Sequence, residues 1–378
     1  MRSPAPRPPR RDSSSPSASP PPGSEDWLRP WAQMKYFSFN PAVYPNMIRA
    51  VSTDAAAGDL VNVYDKEGQL FGSGFFNPKA HVPLRVLQHG EAVLTEDALD
   101  ARLDAALALR LKILRLNETT EAWRAVHSDG DGLSGLVVDR YADVLSIEVT
   151  TLGVWQRLRR WLPKMHAALG TTQHVIQVDP DIARIEGMRW SDVPEADAPA
   201  PRGVRARENN VRYQVSFEDG HKTGFFCDQR DVDLDEKAIA QAKKNADLNQ
   251  VRLDWVHADT FTWGRQMQQN GALWDTVVLD PPKLIFSRDP EEGQLGRNTY
   301  YDMNAVALGL LKRGGLFVTC SCSGLLDVAE FEDIVMRAAH RNKRRLQILD
   351  RTGAGADHPV MSNCPEGRYL KVLWCLAW

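Results

Sequence analysis

The sequence predicts an α/β protein, with a doubly wound sheet at its C-terminal end behind a small β block and an α+β block. Three observations predict it. Strand and helix periodicities alternate through the last 170 or so residues. Two largely apolar runs, Trp274–Leu279 and Leu316–Cys320, read as strands covered on both faces. The first ninety or so residues carry short strand-like segments separated by turn signals.

Residues 1–30 form a Pro-, Ser- and Arg-rich extension that cannot bury enough apolar surface to offset chain entropy, so disorder is expected there. An organellar transit segment is the other reading, since Arg2, Arg7, Arg10 and Arg11 precede the first acid. Residues 31–95 follow as a curved β domain with strands at Leu60–Tyr64, Gln69–Phe75 and Val82–Leu87. Lys66-Glu67-Gly68 and Asn77-Pro78 are its turns.

Residues 96–205 form the α+β block. It opens with a helix over Glu96–Leu116 whose apolar face is Leu99, Leu103, Ala106, Leu107, Ile113 and Leu114. A turn at Ser128–Gly132, strands at Leu136–Val138 and Val144–Val149, a helix at Trp155–Leu169 and a strand at His174–Val178 follow. The acidic, Pro-rich stretch Val193–Pro201 is a loop.

Residues 206–378 form the doubly wound block. Expected here are helices at Asp233–Asn249, Asn298–Leu311 (ended by Gly314-Gly315) and Val328–Arg341. Strands are expected at Leu253–His257, Trp274–Leu279, Leu316–Cys320, Leu346–Leu349 and Tyr369–Ala377.

Composition narrows the function classes. Of 378 residues, 43% are apolar and 25% charged, a globular composition. No apolar run reaches the ~18 residues of a membrane span. The net charge of −3 means that nucleic-acid contact would need local basic patches. Candidates are Arg157, Arg159, Arg160 and Lys164, and Arg337, Arg341, Lys343, Arg344 and Arg345; solvated helix faces are the equal alternative. Five cysteines without a CxxC pair argue against zinc or a disulfide framework and for a reducing, cytoplasmic setting.

Ligands of doubly wound sheets bind beyond the carboxyl ends of the strands. After the first apolar run comes Asp280-Pro281-Pro282-Lys283, an acid on a rigid turn that could accept a hydrogen bond from a base; a plain strand-ending turn is the alternative. After the second comes Thr319-Cys320-Ser321-Cys322-Ser323-Gly324. A thiolate at a strand–helix junction is a soft nucleophile suited to a pyrimidine ring, and buried inert cysteines are the alternative.

These residues resemble a family. Gly220–Arg230 (GHKTGFFCDQR), Val277–Lys283, Ser321–Gly324, Ala356–Val360 and Pro365–Lys371 resemble, in order, motifs of class I S-adenosylmethionine (SAM)-dependent ribosomal RNA cytosine-5 methyltransferases with an N-terminal PUA domain. Asn40–Tyr44 and Gly58–Val61 resemble the PUA part, and Gly130–Tyr141 the middle block. The resemblance implies a Rossmann-like methyltransferase domain, SAM as cofactor, and large-subunit ribosomal RNA as partner. Cys322 would attack cytosine C6, and Asp280 would hold the base edge and help protonate N3. Asp233 would bind the SAM ribose, with Asp259 near the adenine and Asp280 also bordering the cofactor. Lys222, Gln229, Arg230 and Lys283 would meet the substrate. A homodimer stays open.

The chain departs from that pattern at one place. Asp228-Gln229-Arg230-Asp231 runs straight into Val232-Asp233, where the family has a first strand, a glycine loop and a first helix, roughly 30–40 residues by ordinary element lengths. Gly353-Ala354-Gly355 follows a late strand and does not replace the loop. Loss of a central strand would leave unpaired strand edges. The alternative function is then a catalytically inactive RNA-binding relative.

Overall fold

The computed structural model describes residues 20–192, 200–217 and 236–378. The expectations for the extreme N-terminus, for most of the Pro-rich stretch, for Gly220–Arg230 and for Asp233 lie outside those residues. So do the expected sites Lys222, Gln229 and Arg230.

The first sheet holds β1 (Trp31–Met34), β2 (Ala42–Val43), β3 (Ile48–Val51), β4 (Leu60–Tyr64), β5 (Leu70–Phe76) and β6 (Leu84–His89). Their order is β2-β6-β5-β4-β1-β3, antiparallel except for β1 with β4. Gly72 and Gly74 sit where an added Cβ would meet the carbonyl oxygens of Gln88 and Arg85 at 2.2 and 2.0 Å, which lets β6 close tightly over β5. Ala32, Val43, Val61, Val63 and Leu84 fill the interior.

Thr95 caps α1 (Glu96–Ala108), accepting the backbone N–H of Ala98. The helix is shorter than its periodicity predicts. A π turn at Leu109–Ile113 follows it and turns Arg110 inward, so Ile113 faces solvent (72% exposed) instead of extending the apolar face. The second sheet follows, with β7 (Ala122–His127), β8 (Leu136–Tyr141), β9 (Val144–Val149) and β10 (Gln173–Gln177) in the order β10-β9-β8-β7. Helix α2 (Leu152–Leu169) packs Val154, Trp155, Leu158, Trp161 and Met165 with α1 and this sheet into the first large core. A short helix α3 (Pro180–Glu186) and a hairpin of β11 (Gly203–Glu208) and β12 (Val211–Ser216) complete this part.

The last part contains α4 (Glu236–Leu248), α5 (Thr260–Gln269), β13 (Trp274–Leu279), α6 (Pro290–Gly309), β14 (Leu311–Ser321), α7 (Val328–Arg341), β15 (Leu346–Thr352) and β16 (Lys371–Ala377). The sheet order is β13-β14-β16-β15; β13 and β14 are parallel, and β16 is antiparallel to both of its neighbours. Phe317, Phe331, Ile334, Val335, Tyr300 and Leu308 form its core.

Three expectations for this part are corrected. Leu253–His257 forms no strand; Leu253 and Val256 are about half exposed. Among the described residues β13 is an edge strand rather than a doubly covered one, and Trp274 (36%) and Val278 (47%) reach solvent. Both follow from one cause. In the doubly wound order 3-2-1-4-5-6, the first strand stands between the early strands and the fourth. No strand of the described residues occupies that position beside β13, so Leu253–His257 has no ladder to join. Third, Gly314-Gly315 does not end a helix. α6 begins earlier, at Pro290 under an Asp289 cap, and ends at Gly309. Gly314 (φ 74°) instead lies in the bulge that sets Leu311 opposite Trp274 but Leu316 opposite Thr276.

Candidate functional site at the strand ends

Parallel strands that are neighbours in a sheet end on the same edge, so β13 and β14 deliver their following loops to one place. Leu279 pairs with Thr319, which brings Asp280 level with the segment that becomes Cys320–Ser323. The two loops are fastened together by Ser323. Its buried hydroxyl accepts the backbone N–H groups of Leu284 and Ile285, each at 3.2 Å, and shares a 2.9 Å hydrogen bond with the hydroxyl of Tyr300 on α6. Both loops are thereby clamped to the same helix.

Within this arrangement the two cysteines divide. Cys320 points into the sheet and is 4% exposed, whereas Cys322, just past the strand end, is partly exposed. Asp280 is likewise partly exposed, over a buried Pro281. Lys283 is exposed, with its ammonium 5.6 Å from the ring of Phe286, itself 73% exposed. Beneath the turn Lys371 is buried (4% exposed). Its ammonium donates to the carbonyls of Ser323 (2.6 Å), Leu326 (2.9 Å) and Tyr369 (2.9 Å). Burial pulls its pKa down to about 8 against the opposing pull of Cys322 and Asp327. Burial also raises the phenol of Tyr300.

Asp259 stands elsewhere on the same edge. A helix that leads into a parallel strand begins near that strand's carboxyl end, so the start of α5 lies on the side of Asp280. Asp259 is exposed and caps α5, its Oδ1 accepting the backbone N–H of Thr262 at 2.8 Å and the Thr262 hydroxyl at 2.7 Å. These bonds hold its carboxyl below the usual range. Asp259 thus serves as the helix cap of α5.

Two of the matched motifs prove to be docking elements, which sequence reasoning did not foresee. In Ala356–Val360, Asp357 accepts the backbone N–H of Arg124 at 2.9 Å and its main-chain carbonyl accepts from Arg110 at 2.6 Å. An added Cβ on Gly130 would meet the Pro359 carbonyl oxygen at 2.0 Å, so the glycine of the middle-block turn admits this loop. In Pro365–Lys371, Glu366 accepts from Asn40 at 2.9 Å, and the neighbouring Asn363 donates to the Phe39 carbonyl at 2.8 Å, joining the first block to the strand-end loops. The Asp-Gly-rich turn of the middle block was the available signal for the first of these contacts.

The basic clusters are mostly neutralised. Arg157 pairs with Glu96, and Arg160 and Lys164 pair with Asp100, which bolts α2 to α1. Arg337 pairs with Asp333 and Arg341 with Asp302. No group of acids, histidines or cysteines among the described residues could hold a metal. None of the described helices is long and apolar enough to cross a membrane.

Comparison with known proteins agrees with this architecture. Residues 27–89 match a family described as a PUA-like domain. The chain is 29% identical over 360 residues to the Ribosomal RNA large subunit methyltransferase I of Photobacterium profundum, covering 84% of this chain and 90% of the relative. It is 27% identical over 387 residues to the protein of the same name from Pseudoalteromonas translucida, covering 90% and 96%. A methyltransferase structure complexed with SAH superposes with a TM-score of 0.67 at 17% identity, over 86% of this chain and 93% of that one. A Streptococcus mutans SAM-dependent methyltransferase does so with a TM-score of 0.67 at 16% identity, over the same shares. The chain is thus similar over most of its length to proteins named ribosomal RNA large subunit methyltransferase I, with a PUA-like first sheet ahead of an α/β part that shares the fold of the two methyltransferase structures.

Proposed function

We propose that the protein is a SAM-dependent methyltransferase of large-subunit ribosomal RNA that forms 5-methylcytosine through a covalent Cys322 adduct. The observation that carries this reading is the Ser323 clamp, which holds the Asp280 loop and the Cys322 turn together at the ends of parallel strands. The relatives' names support the substrate class, and Cys322 rather than Cys320 has the exposure that a nucleophile needs.

In this mechanism the target base leaves its stack and enters the strand-end site. The Cys322 sulfur forms a bond to C6, and the electron pair of the C5–C6 double bond moves onto the ring while Asp280 supports protonation at N3. C5 becomes electron-rich. SAM, when bound, supplies the methyl group. After methylation a base takes the C5 proton, the double bond reforms and the S–C6 bond breaks, returning the thiolate. Asp259 and Asp280 would border the cofactor, with Asp233 completing the set. Lys283 would meet the substrate, as would Lys222, Gln229 and Arg230.

We also propose the division at 31–95, 96–205 and 206–378, action in the cytoplasm, and a homodimer as the assembly to test. An inactive RNA-binding relative is the second reading, and the feature in its favour is that no strand of the described residues pairs with the outer edge of β13. Incubation with 5-fluorocytosine-containing ribosomal RNA and SAM tests the first. A denaturant-stable adduct lost in Cys322→Ala is expected. RNA binding with neither adduct nor SAM binding by the folded chain would establish the second.

A further inference from the structure

Lys371 is out of place for a lysine. It is 4% exposed on β16, directly across the ladder from Ser321. All three ammonium donors are spent on main-chain carbonyls, those of Ser323, Leu326 and Tyr369. The first two belong to the turn that begins at Cys322, so the turn wraps around the ammonium. None of the ion pairs among the described residues includes it. A buried ammonium with only neutral acceptors is costly, and folds keep such a group where an opposite charge is at hand. A carbonyl lattice of this kind fastens the turn and leaves the ammonium without a carboxylate hydrogen-bonded to it, although Asp327 acts on it through space.

We propose that Lys371 is a positioning residue for Cys322, which anchors the thiol-bearing turn through its carbonyls and stabilises the thiolate with a buried positive charge. The inference rests on the reading of Cys322 as the nucleophile. Among the described residues, groups that act at this place include Lys371 from β16, the Tyr300 phenol from α6 and Asp327 at the cap of α7. Of these only Lys371 favours an anion at sulfur. The pull between Cys322 and Lys371 is mutual, since the thiolate also favours the charged lysine. No proton need pass between them. The ammonium remains protonated while the sulfur bonds to C6 and later leaves as thiolate.

The test is the pH profile of iodoacetamide alkylation at Cys322 in the full chain, read by mass spectrometry of its peptide, with Cys364 as internal control. Lys371→Met should move the midpoint up by about one unit and slow alkylation at pH 7 about tenfold, with Cys364 unchanged. Lys371→Arg should restore most of the rate. An unmoved midpoint in a Lys371→Met chain with a native melting transition overturns the proposal and leaves Lys371 a turn anchor. If Lys371→Met does not fold, the reciprocal measurement decides. In Cys322→Ser, the titration of Lys371 followed by carbon-13 NMR should shift downward, and no shift overturns the proposal. Neither readout involves methyl transfer. A coupled pair without a 5-fluorocytosine adduct would refute the nucleophile reading, whereas an adduct without coupling would refute only the role of Lys371.

Discussion

The hydroxyl of Ser323 accepts the backbone N–H of Leu284 at 3.2 Å, so one side chain on the turn after β14 holds the loop that follows β13. The bond is buried and the same oxygen also serves Ile285 and Tyr300. Ser323→Ala would orphan the N–H groups of Leu284 and Ile285 and remove one partner of the Tyr300 phenol, at a cost of roughly 1–3 kcal/mol. A lower urea midpoint is expected, together with a methyl-transfer rate that falls by more than the stability loss alone would dictate. An unchanged rate in a destabilised chain would mean that the two loops need no common clamp.

Asp280→Asn keeps the shape of the strand-end loop and removes its charge. If the carboxylate supports protonation at N3, turnover should fall about 10²–10⁴-fold, the range for a general acid or base. RNA affinity measured by filter binding should change little. Equal losses in affinity and turnover would assign Asp280 to binding.

Arg110 is buried against Asp131 at 2.7 Å and also donates to the carbonyls of Ala106, Arg124 and Asp357. Removing one member of a buried pair strands the other, so Arg110→Leu should cost about 3–5 kcal/mol. Chemical denaturation would measure it, and a loss below about 1 kcal/mol would show that the contact to the Ala356–Val360 loop is incidental.

The protein should lose stability on mild acidification. The His127 ring lies 4.9 Å from that of His358 at a tilt of 57°, and burial, with repulsion from Arg124, His358 and Arg110, lowers its pKa from 6.5 to about 3. The unfolded chain protonates this ring near pH 6.5 while the native chain does not until near pH 3. Over that window the unfolded state binds more protons, so native stability falls with pH by about 1 kcal/mol per unit. Asp357 adds to the loss lower down, because despite its burial the His358 contact holds its carboxyl below the usual range. His127→Gln should flatten the slope of unfolding free energy between pH 6.5 and 5, and an unaltered slope would place the effect elsewhere.

β13 presents an apolar outer edge, with Val278 47% exposed. Exposed edge strands template pairing with further chains. Concentration-dependent association is expected by light scattering, and Val278→Lys should reduce it while leaving the melting temperature almost unchanged. Association that persists in Val278→Lys would move the self-contact to another surface.

Local signals in the chain were sufficient for elements whose own periodicity and caps decide them. α7 occupies Val328–Arg341, as its apolar spacing predicts, and β4 and β9 keep their bounds at Leu60–Tyr64 and Val144–Val149. The start of α6 was also legible in Asp289-Pro290-Glu291-Glu292, a cap and first turn that the periodicity argument passed over. The early end of α1 was not legible, because the π turn exists to bring Arg110 to partners remote in sequence, Asp131 and Asp357.

By itself the sequence determined the α/β character, the order of the motifs, and the placing of Asp280 and Cys322 at strand ends, since hydrophobic period and turn residues are local properties. Tertiary structure decided that, among the described residues, β13 is an edge and Leu253–His257 has no ladder, and that Lys371 lies beneath the Cys322 turn. Whether an apolar run is covered depends on which strand lies beside it. Whether a lysine is solvated or buried depends on which carbonyls the fold brings to it, and these contacts are set by chain segments dozens of residues away.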